Sequence, residues 1–160
     1  MHRWLALCGG FLLAVLWMDL MFDVQVRGHA EGPLPEPVLD SIATYYARVT
    51  TGANPMGRLV GAVMTGLLVG LVVQNRRAAG PRWLRFAAIG LAVVPIGLAG
   101  ARILPNAIEL GTRAGSPEAQ SALARSIYSE HVACFILIAL FVACQLGMRA
   151  PDPSTPRAAT

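Results

Sequence analysis

The segment that decides how this chain folds is WMDLMFD, Trp17 to Asp23. It places two carboxylates, Asp19 and Asp23, four residues apart at the far end of an apolar stretch that begins at Trp4. A charged side chain close to the hydrocarbon of a bilayer is costly, and it usually serves a function there. The question raised by the sequence is therefore which groups the two aspartates face.

Composition indicates a membrane protein. Of the 160 residues, 55% are hydrophobic and 14% are charged, and the mean hydropathy is +0.55, whereas soluble domains have about 45–50% apolar and about 25% charged residues. All 13 basic residues are arginines scattered along the chain and form no basic stripe, so we expect no nucleic-acid partner. The three cysteines have no CxxC spacing, and we expect no metal site.

Four apolar stretches are long enough to cross a bilayer, which takes about 20 helical residues. They cover about residues 4–22, 56–73, 83–104 and 127–146. The sequence therefore predicts an all-α fold, an integral membrane four-helix bundle over residues 1–148, with a disordered cytoplasmic tail over 149–160. The first stretch also resembles a signal peptide with a small-residue site at Gly28-His29-Ala30, but its length and Asp19 favour a retained helix.

The arginines predict the orientation of the bundle. Four spans put both termini on one side, together with the turn between the second and third spans. That side has Asp152 as its only acid against Arg3, Arg76, Arg77, Arg82, Arg85, Arg149 and Arg157. By the positive-inside rule both termini are cytoplasmic, and we expect a multi-pass protein of a bacterial inner membrane, surrounded by lipids.

The two connections on the other side are long and have helical features. Apolar residues recur at helical spacing between residues 37 and 50, which predicts an amphipathic helix on the membrane surface or over the bundle. Ser116-Pro117-Glu118 has the residue types of a helix start, so the fourth helix begins well outside the bilayer. We therefore predict an extracytoplasmic helical cap.

Polar side chains from all four spans fall at one depth, close to the outer boundary. This pattern predicts a polar pocket for a small hydrophobic ligand, with His131 as a catalytic base and Asp19 orienting it. Asp23 is expected nearer to water, and Arg58 or Arg102 would stabilise an enolate or phenolate oxygen. The complete set of predicted ligand-binding residues is Asp23, Arg58, Arg102, Asn106, Tyr128 and Glu130. In the alternative, the chain is a non-enzymatic subunit, scaffold or lipid-binding module whose charges only hold the bundle together.

The sequence says less about cofactors and oligomeric state than about the fold. We expect no cofactor, although ligation of a haem by His131 alone stays open because this is the only histidine within a span. Glycines at four-residue spacing in the second span permit close helix packing, either within this chain or in a homo-oligomer. These glycines are Gly57, Gly61, Gly66 and Gly70.

The second half of the chain resembles the anthrone-oxygenase-like family of small four-helix membrane proteins. The resemblance covers about a quarter of the chain and lies in ILPNAIELG (103–111) and SPEAQSALARSIYSEHVACFILIALF (116–141). It consists of a Pro-Asn pair closing the third span and an aromatic residue and a histidine opening the fourth. It implies cofactor-independent oxygenation of an activated aromatic compound, with Asn106 and His131 at matching positions. The sequence departs from the family in lacking a tryptophan beside this histidine.

Overall fold

The computed structural model describes residues 1–29, 31–52, 54–77 and 81–147. In these residues the chain forms six helices and no strand: α1 (His2–Asp23), α2 (Glu36–Ala47), α3 (Asn54–Arg76), α4 (Arg82–Leu98), α5 (Leu104–Gly111) and α6 (Pro117–Gly147). A 3₁₀ turn, Val24–Gly28, extends α1. A π-helical turn, Arg48–Gly52, follows α2, and another, Ala99–Ile103, joins α4 to α5. The predicted tail over residues 149–160 lies outside the described residues.

Four helical stretches of the described chain are long and apolar enough to cross a membrane. They are His2–Gly28, Pro55–Arg76, Arg82–Gly111 and Pro117–Gly147. The predicted all-α membrane bundle is therefore confirmed. The third stretch continues beyond the predicted end at residue 104, and Pro105 lies in the first turn of α5, a position at which proline is well tolerated.

Helix α2 covers one end of the bundle, which we call the capped end. Its apolar face, with Leu39, Ile42 and Tyr46, is buried in a cluster that includes Leu110 of α5. The two helices approach so closely at Gly111 that a Cβ atom there would lie 2.9 Å from the backbone nitrogen of Ala47. The predicted amphipathic helix thus packs on the bundle through its apolar side.

The segment between α1 and α2 is fixed to α6 by polar contacts. The Arg125 guanidinium donates hydrogen bonds to the carbonyl oxygens of His29 and Gly32. The Ser121 hydroxyl accepts one from the backbone N–H of Leu34 at 2.8 Å. These contacts hold the connection against the side of α6, so that α2 lies over the ends of α1 and α6.

Helix α3 packs on the bundle along only half of its length. Its buried residues are Leu67, Gly70, Leu71 and Gln74, all towards the end opposite the cap. From residue 55 to residue 66 every side chain is exposed or half-buried. The half of α3 near the capped end therefore stands away from its neighbours, and a cavity lies beside it.

Candidate functional site

Asp23 and His131 form the centre of a buried polar cluster at the capped end. Asp23 is 0% exposed, and its Oδ2 atom lies 2.7 Å from Nδ1 of His131, whose side chain is also buried. The other oxygen of Asp23, Oδ1, accepts a hydrogen bond from the Tyr46 hydroxyl at 2.7 Å. Because an ionised carboxylate only accepts hydrogen bonds, this contact places a proton on Nδ1 and leaves Nε2 directed away from Asp23.

Asp19 lies one helical turn before Asp23, on the other side of the imidazole. Its Oδ2 atom is 3.9 Å from Nε2 of His131, which is longer than a hydrogen bond. Its Oδ1 atom accepts a hydrogen bond of 2.5 Å from the Tyr45 hydroxyl. The histidine is thus bracketed by two aspartates of α1, one bonded to it and one separated by a gap.

Tyr45 and Tyr46 of α2 complete the cluster, and their environment keeps both phenols protonated. Burial raises the pKa of Tyr46 far above its ordinary range, and the charges of Asp23 and Asp19 raise it further. Burial is also the largest cause that raises the pKa of Tyr45, followed by the charge of Asp19 and the hydrogen bond to it. Both hydroxyls therefore act as hydrogen-bond donors to the aspartates.

A cavity of about 360 Å³ opens beside the gap between Asp19 and His131. Its walls come from all six helices and the two π-helical turns, and most of the lining side chains are apolar. Its polar side chains lie towards the capped end, and they are Asp19, Tyr45, Tyr46, Thr50 and His131. The site is therefore a mostly apolar chamber with a cluster of hydrogen-bonding groups at one end.

Glycines form part of the cavity wall. Gly57 and Gly61 of α3 and Gly100 of the second π-helical turn line the chamber, and a Cβ atom at any of the three would meet no atom within 4 Å. At Gly70, by contrast, a Cβ atom would lie 2.8 Å from Leu5, so helix packing within the chain accounts for that glycine. Gly66 also has open space around it but does not line the cavity. Association between copies of the chain through this stripe stays a prediction.

The expectation that Asp23 lies nearer to water than Asp19 is wrong. Asp23 is fully buried, whereas the side chain of Asp19 is 16% exposed. The physical reason is that α2 folds back over the end of α1 and puts Tyr46 against Asp23. Consequently it is Asp23, and not Asp19, that holds His131 in place.

Glu130 and Arg102 pair with one another outside the cluster. Arg102 Nη2 lies 2.8 Å from Glu130 Oε1, and the arginine side chain is 62% exposed. Ser126 donates a hydrogen bond of 3.1 Å to the same Glu130 oxygen. Neither member of the pair lines the cavity, so Arg102 does not supply the oxyanion contact expected of it.

Three further predicted site residues are not brought to the cluster. Arg58 is exposed on α3 and does not line the cavity, although it neighbours Gly57. Asn106 is half-buried on α5 and makes no side-chain hydrogen bond within the described ranges. Tyr128 lines a separate shallow groove with Trp17 and Met21, on the face of α1 and α6 away from the cavity.

The two tyrosines of α2 and the glycine wall are the features of the candidate site that the sequence analysis did not predict. Both tyrosines lie on a helix that the sequence predicts to be amphipathic. Their position beside Leu39 and Ile42 on its apolar side could have indicated that they face the bundle.

In the described part of the chain, no group of three or more His, Cys, Asp or Glu residues is arranged to hold a metal ion. No protein-family model, curated protein or solved structure matches this chain.

Proposed function

We propose that this multi-pass membrane protein binds a small, largely apolar molecule in the cavity, with the polar end of that molecule at Asp19 and His131. The observation that carries the proposal is the 3.9 Å separation between Asp19 Oδ2 and His131 Nε2 at the polar end of an apolar chamber. Two polar atoms at this separation are too far apart to bond directly, but a single polar atom placed between them can hydrogen-bond to both. Apolar walls with a few convergent polar groups are typical of small-molecule sites.

The glycine wall supports a binding role over simple packing. A core that serves only stability is filled to high density, because empty volume costs contacts. A Cβ atom at Gly57 or Gly61, both of which line the chamber, would meet no atom within 4 Å. The chain thus keeps free volume at positions where a side chain could have filled it, which favours an occupant.

An enzyme is the second candidate, favoured by the Asp23–His131 hydrogen bond. A carboxylate that fixes one imidazole nitrogen and leaves the other facing a cavity is the arrangement of a general base. Oxygenation of an aromatic compound, which the family resemblance implies, would use His131 in this way, but Asn106 does not line the cavity. Haem ligation by His131 is a separate prediction, and an absorption spectrum of the purified protein tests it.

The third candidate is a scaffold or subunit in which the cluster only holds helices together. Tyr45, Tyr46 and Asp23 do join α1, α2 and α6. If the protein is a scaffold, a side chain that fills the cavity should change only the stability of the protein, because no ligand binds there. The candidates therefore differ in what happens when the cavity is filled.

For orientation, we propose that the capped end is extracytoplasmic and that both termini are cytoplasmic, in a bacterial inner membrane. The arginine asymmetry of the sequence supports this. Reporter fusions after Gly80 and after Gly115 should report the inside and the outside, respectively. The opposite pattern would invert the orientation and put the cavity in the other leaflet.

The binding proposal is tested with the protein in phosphatidylcholine nanodiscs. The probes are dodecanol, dodecylamine and dodecanoate, which share one alkyl chain, together with naphthol as an aromatic compound. We expect at least one probe to raise the melting temperature of the wild-type protein. Gly61→Leu should abolish that rise, because the leucine side chain occupies the chamber.

Gly66→Leu is the matched control. It adds the same side chain to the same helix, in open space that is not part of the cavity. It should retain the response to the probe, and both variants should fold, since leucine favours a helix over glycine by roughly 1 kcal/mol. The proposal fails if no probe stabilises the wild type, or if Gly61→Leu responds as the wild type does.

A further inference from the structure

The groups around the cavity gap contain two carboxyl groups and a single group that can become cationic, His131. From α1 the cluster receives Asp19 and Asp23, from α2 the neutral hydroxyls of Tyr45 and Tyr46, and from α6 His131. While both aspartates are ionised, the cluster has a net charge of −1 if His131 is protonated and −2 if it is neutral. In either state a negative charge lies beside apolar walls, where an uncompensated charge is costly.

No arginine of the described chain compensates this charge. Arg102 is paired with Glu130, and Arg125 donates its hydrogen bonds to the carbonyl oxygens of His29 and Gly32. Arg58 is exposed on α3 and does not line the cavity. Within the described residues no arginine lines the chamber, and none forms an ion pair with Asp19 or Asp23.

The donors of the cluster are also already used. The hydroxyl of Tyr45 donates to Asp19 and that of Tyr46 to Asp23. With its proton on Nδ1 shared with Asp23, a neutral His131 presents an acceptor at Nε2, and Asp19 Oδ2 across the gap is another acceptor. An anionic head group such as a carboxylate or phenolate would face like charge, while a head group rich in donors would satisfy both atoms.

We infer that the cavity takes a lipophilic amine, with its ammonium group between Asp19 and His131 and its apolar part along α3 and α4. This inference rests on the proposed binding function and adds the charge of the ligand to it. An ammonium offers three donors and a positive charge, so it donates to Asp19 Oδ2 and to Nε2 of the neutral His131 and lowers the net charge of the cluster from −2 to −1. A hydroxyl offers a single donor and no charge.

The first test uses the same alkyl series in phosphatidylcholine nanodiscs, with binding to Gly61→Leu subtracted as non-specific. Dodecylamine should bind about tenfold more tightly than dodecanol, and dodecanoate should bind most weakly, because charge-assisted hydrogen bonds are the stronger ones. The order of the three affinities for the wild-type protein decides the outcome, and Gly61→Leu serves only to measure non-specific binding. Dodecanol or dodecanoate binding as tightly as dodecylamine would overturn the inference.

The second test removes the charge at Asp19. Asp19→Asn should lose most of the roughly tenfold advantage of dodecylamine over dodecanol, measured as the ratio of the two affinities in the same variant. Equal preference for the amine in Asp19→Asn and the wild type would also overturn the inference. A third outcome separates the two proposals. If the wild type binds dodecanol as tightly as dodecylamine and Gly61→Leu loses dodecanol binding, the proposed binding function is supported and only the inference of an amine ligand is rejected. Binding of none of the probes would reject both.

A primary ammonium group can come from a free amine or from the head group of phosphatidylethanolamine. Nanodiscs with part of their lipid replaced by phosphatidylethanolamine distinguish these sources. Weaker apparent binding of dodecylamine in these discs indicates a lipid ligand that competes for the cavity. Unchanged binding indicates a free amine. In both cases the chemistry at Asp19 is the same.

Discussion

The two ends of the bundle each hold a histidine among polar side chains from several helices, buried in the case of His131 and half-buried in the case of His2, but the partners differ. At the capped end His131 is surrounded by two aspartates and two tyrosines beside a cavity. At the opposite end Nδ1 of His2 lies 2.6 Å from Gln74 Nε2 and 3.2 Å from Gln145 Oε1. Gln74 Nε2 also donates to Gln145 Oε1 at 3.1 Å, and none of these three residues lines the cavity.

The difference shows which kind of polar cluster marks a binding site. The amides opposite the cap are neutral and hydrogen-bond to one another and to His2, so they tie α1, α3 and α6 together without excess charge. The cluster at the capped end borders free volume, and while its aspartates are ionised it has more acceptors than donors and carries net charge. Reciprocal partners favour a structural role, whereas unmatched acceptors beside a cavity favour a ligand.

The largest expected effect is the loss of Asp23. Asp23→Ala leaves His131 Nδ1 and the Tyr46 hydroxyl buried without their acceptor, at a cost of roughly 3–5 kcal/mol in the free energy of unfolding. Asp19→Ala should cost about 1 kcal/mol, because Asp19 is partly exposed and loses one hydrogen bond from a tyrosine. Unfolding of the variants in detergent measures both. Equal costs at the two positions would contradict the central place given to Asp23.

Gln145→Leu at the opposite end should have the next largest effect. It leaves Gln74 and His2 with fewer partners in a buried setting, and the expected loss is about 2 kcal/mol of stability. Binding of probes in the cavity should be unchanged once stability is taken into account. A loss of binding as large as that in Gly61→Leu would mean that the two ends are not independent.

Alkaline pH should weaken the capped end through Tyr46. Its pKa is raised by burial first and then by the aspartate charges, so the folded chain keeps a proton that the unfolded chain releases. The stability is therefore complete below about pH 10, the ordinary pKa of tyrosine, and declines above it with a slope of up to about 1.4 kcal/mol per pH unit. Stability measured across this range should decline less steeply in Tyr46→Phe. Identical slopes would rule out Tyr46 as the source.

His131→Gln should have the smallest effect on stability and a large effect on binding. The glutamine amide can donate to Asp23 as the imidazole does, and it leaves no large void, so the melting temperature should be almost unchanged. Its carbonyl oxygen is a much weaker base than Nε2 of the imidazole and does not titrate near neutral pH, so stabilisation by the best probe should fall sharply. Unfolding of His131→Gln together with no response of the wild type to any probe would favour the scaffold.

Much of the fold follows from the sequence, because hydropathy and helix-start signals act locally. The four apolar stretches and the amphipathic helix after the first span could be located from residue types and spacing alone. The helical start at Ser116-Pro117 could be found in the same way. The π-helical turn Ala99–Ile103 could not, since it depends on how α4 and α5 pack on their neighbours.

The site could be predicted only in part. Asp19, Asp23 and His131 were identified because charges within apolar stretches are rare, and the structure brings these three together. The position of the aspartates along α1 predicts that Asp23 is more exposed to water than Asp19, which is wrong. Position along a helix does not show that α2 folds over Asp23. Arg58 was placed in the pocket by depth as well, although depth does not determine which side of α3 a side chain occupies.

The most direct test of the account is photolabelling with dodecanol and dodecylamine that carry a diazirine in the alkyl chain. The protein is labelled in nanodiscs, and the modified residues are identified by peptide mass spectrometry. The account predicts labels on cavity residues such as Met56, Met64 and Ile96, suppressed by excess unlabelled probe and absent in Gly61→Leu. Labels confined to exposed residues outside the cavity such as Val69 and Leu140, unaffected by the competitor, would contradict it.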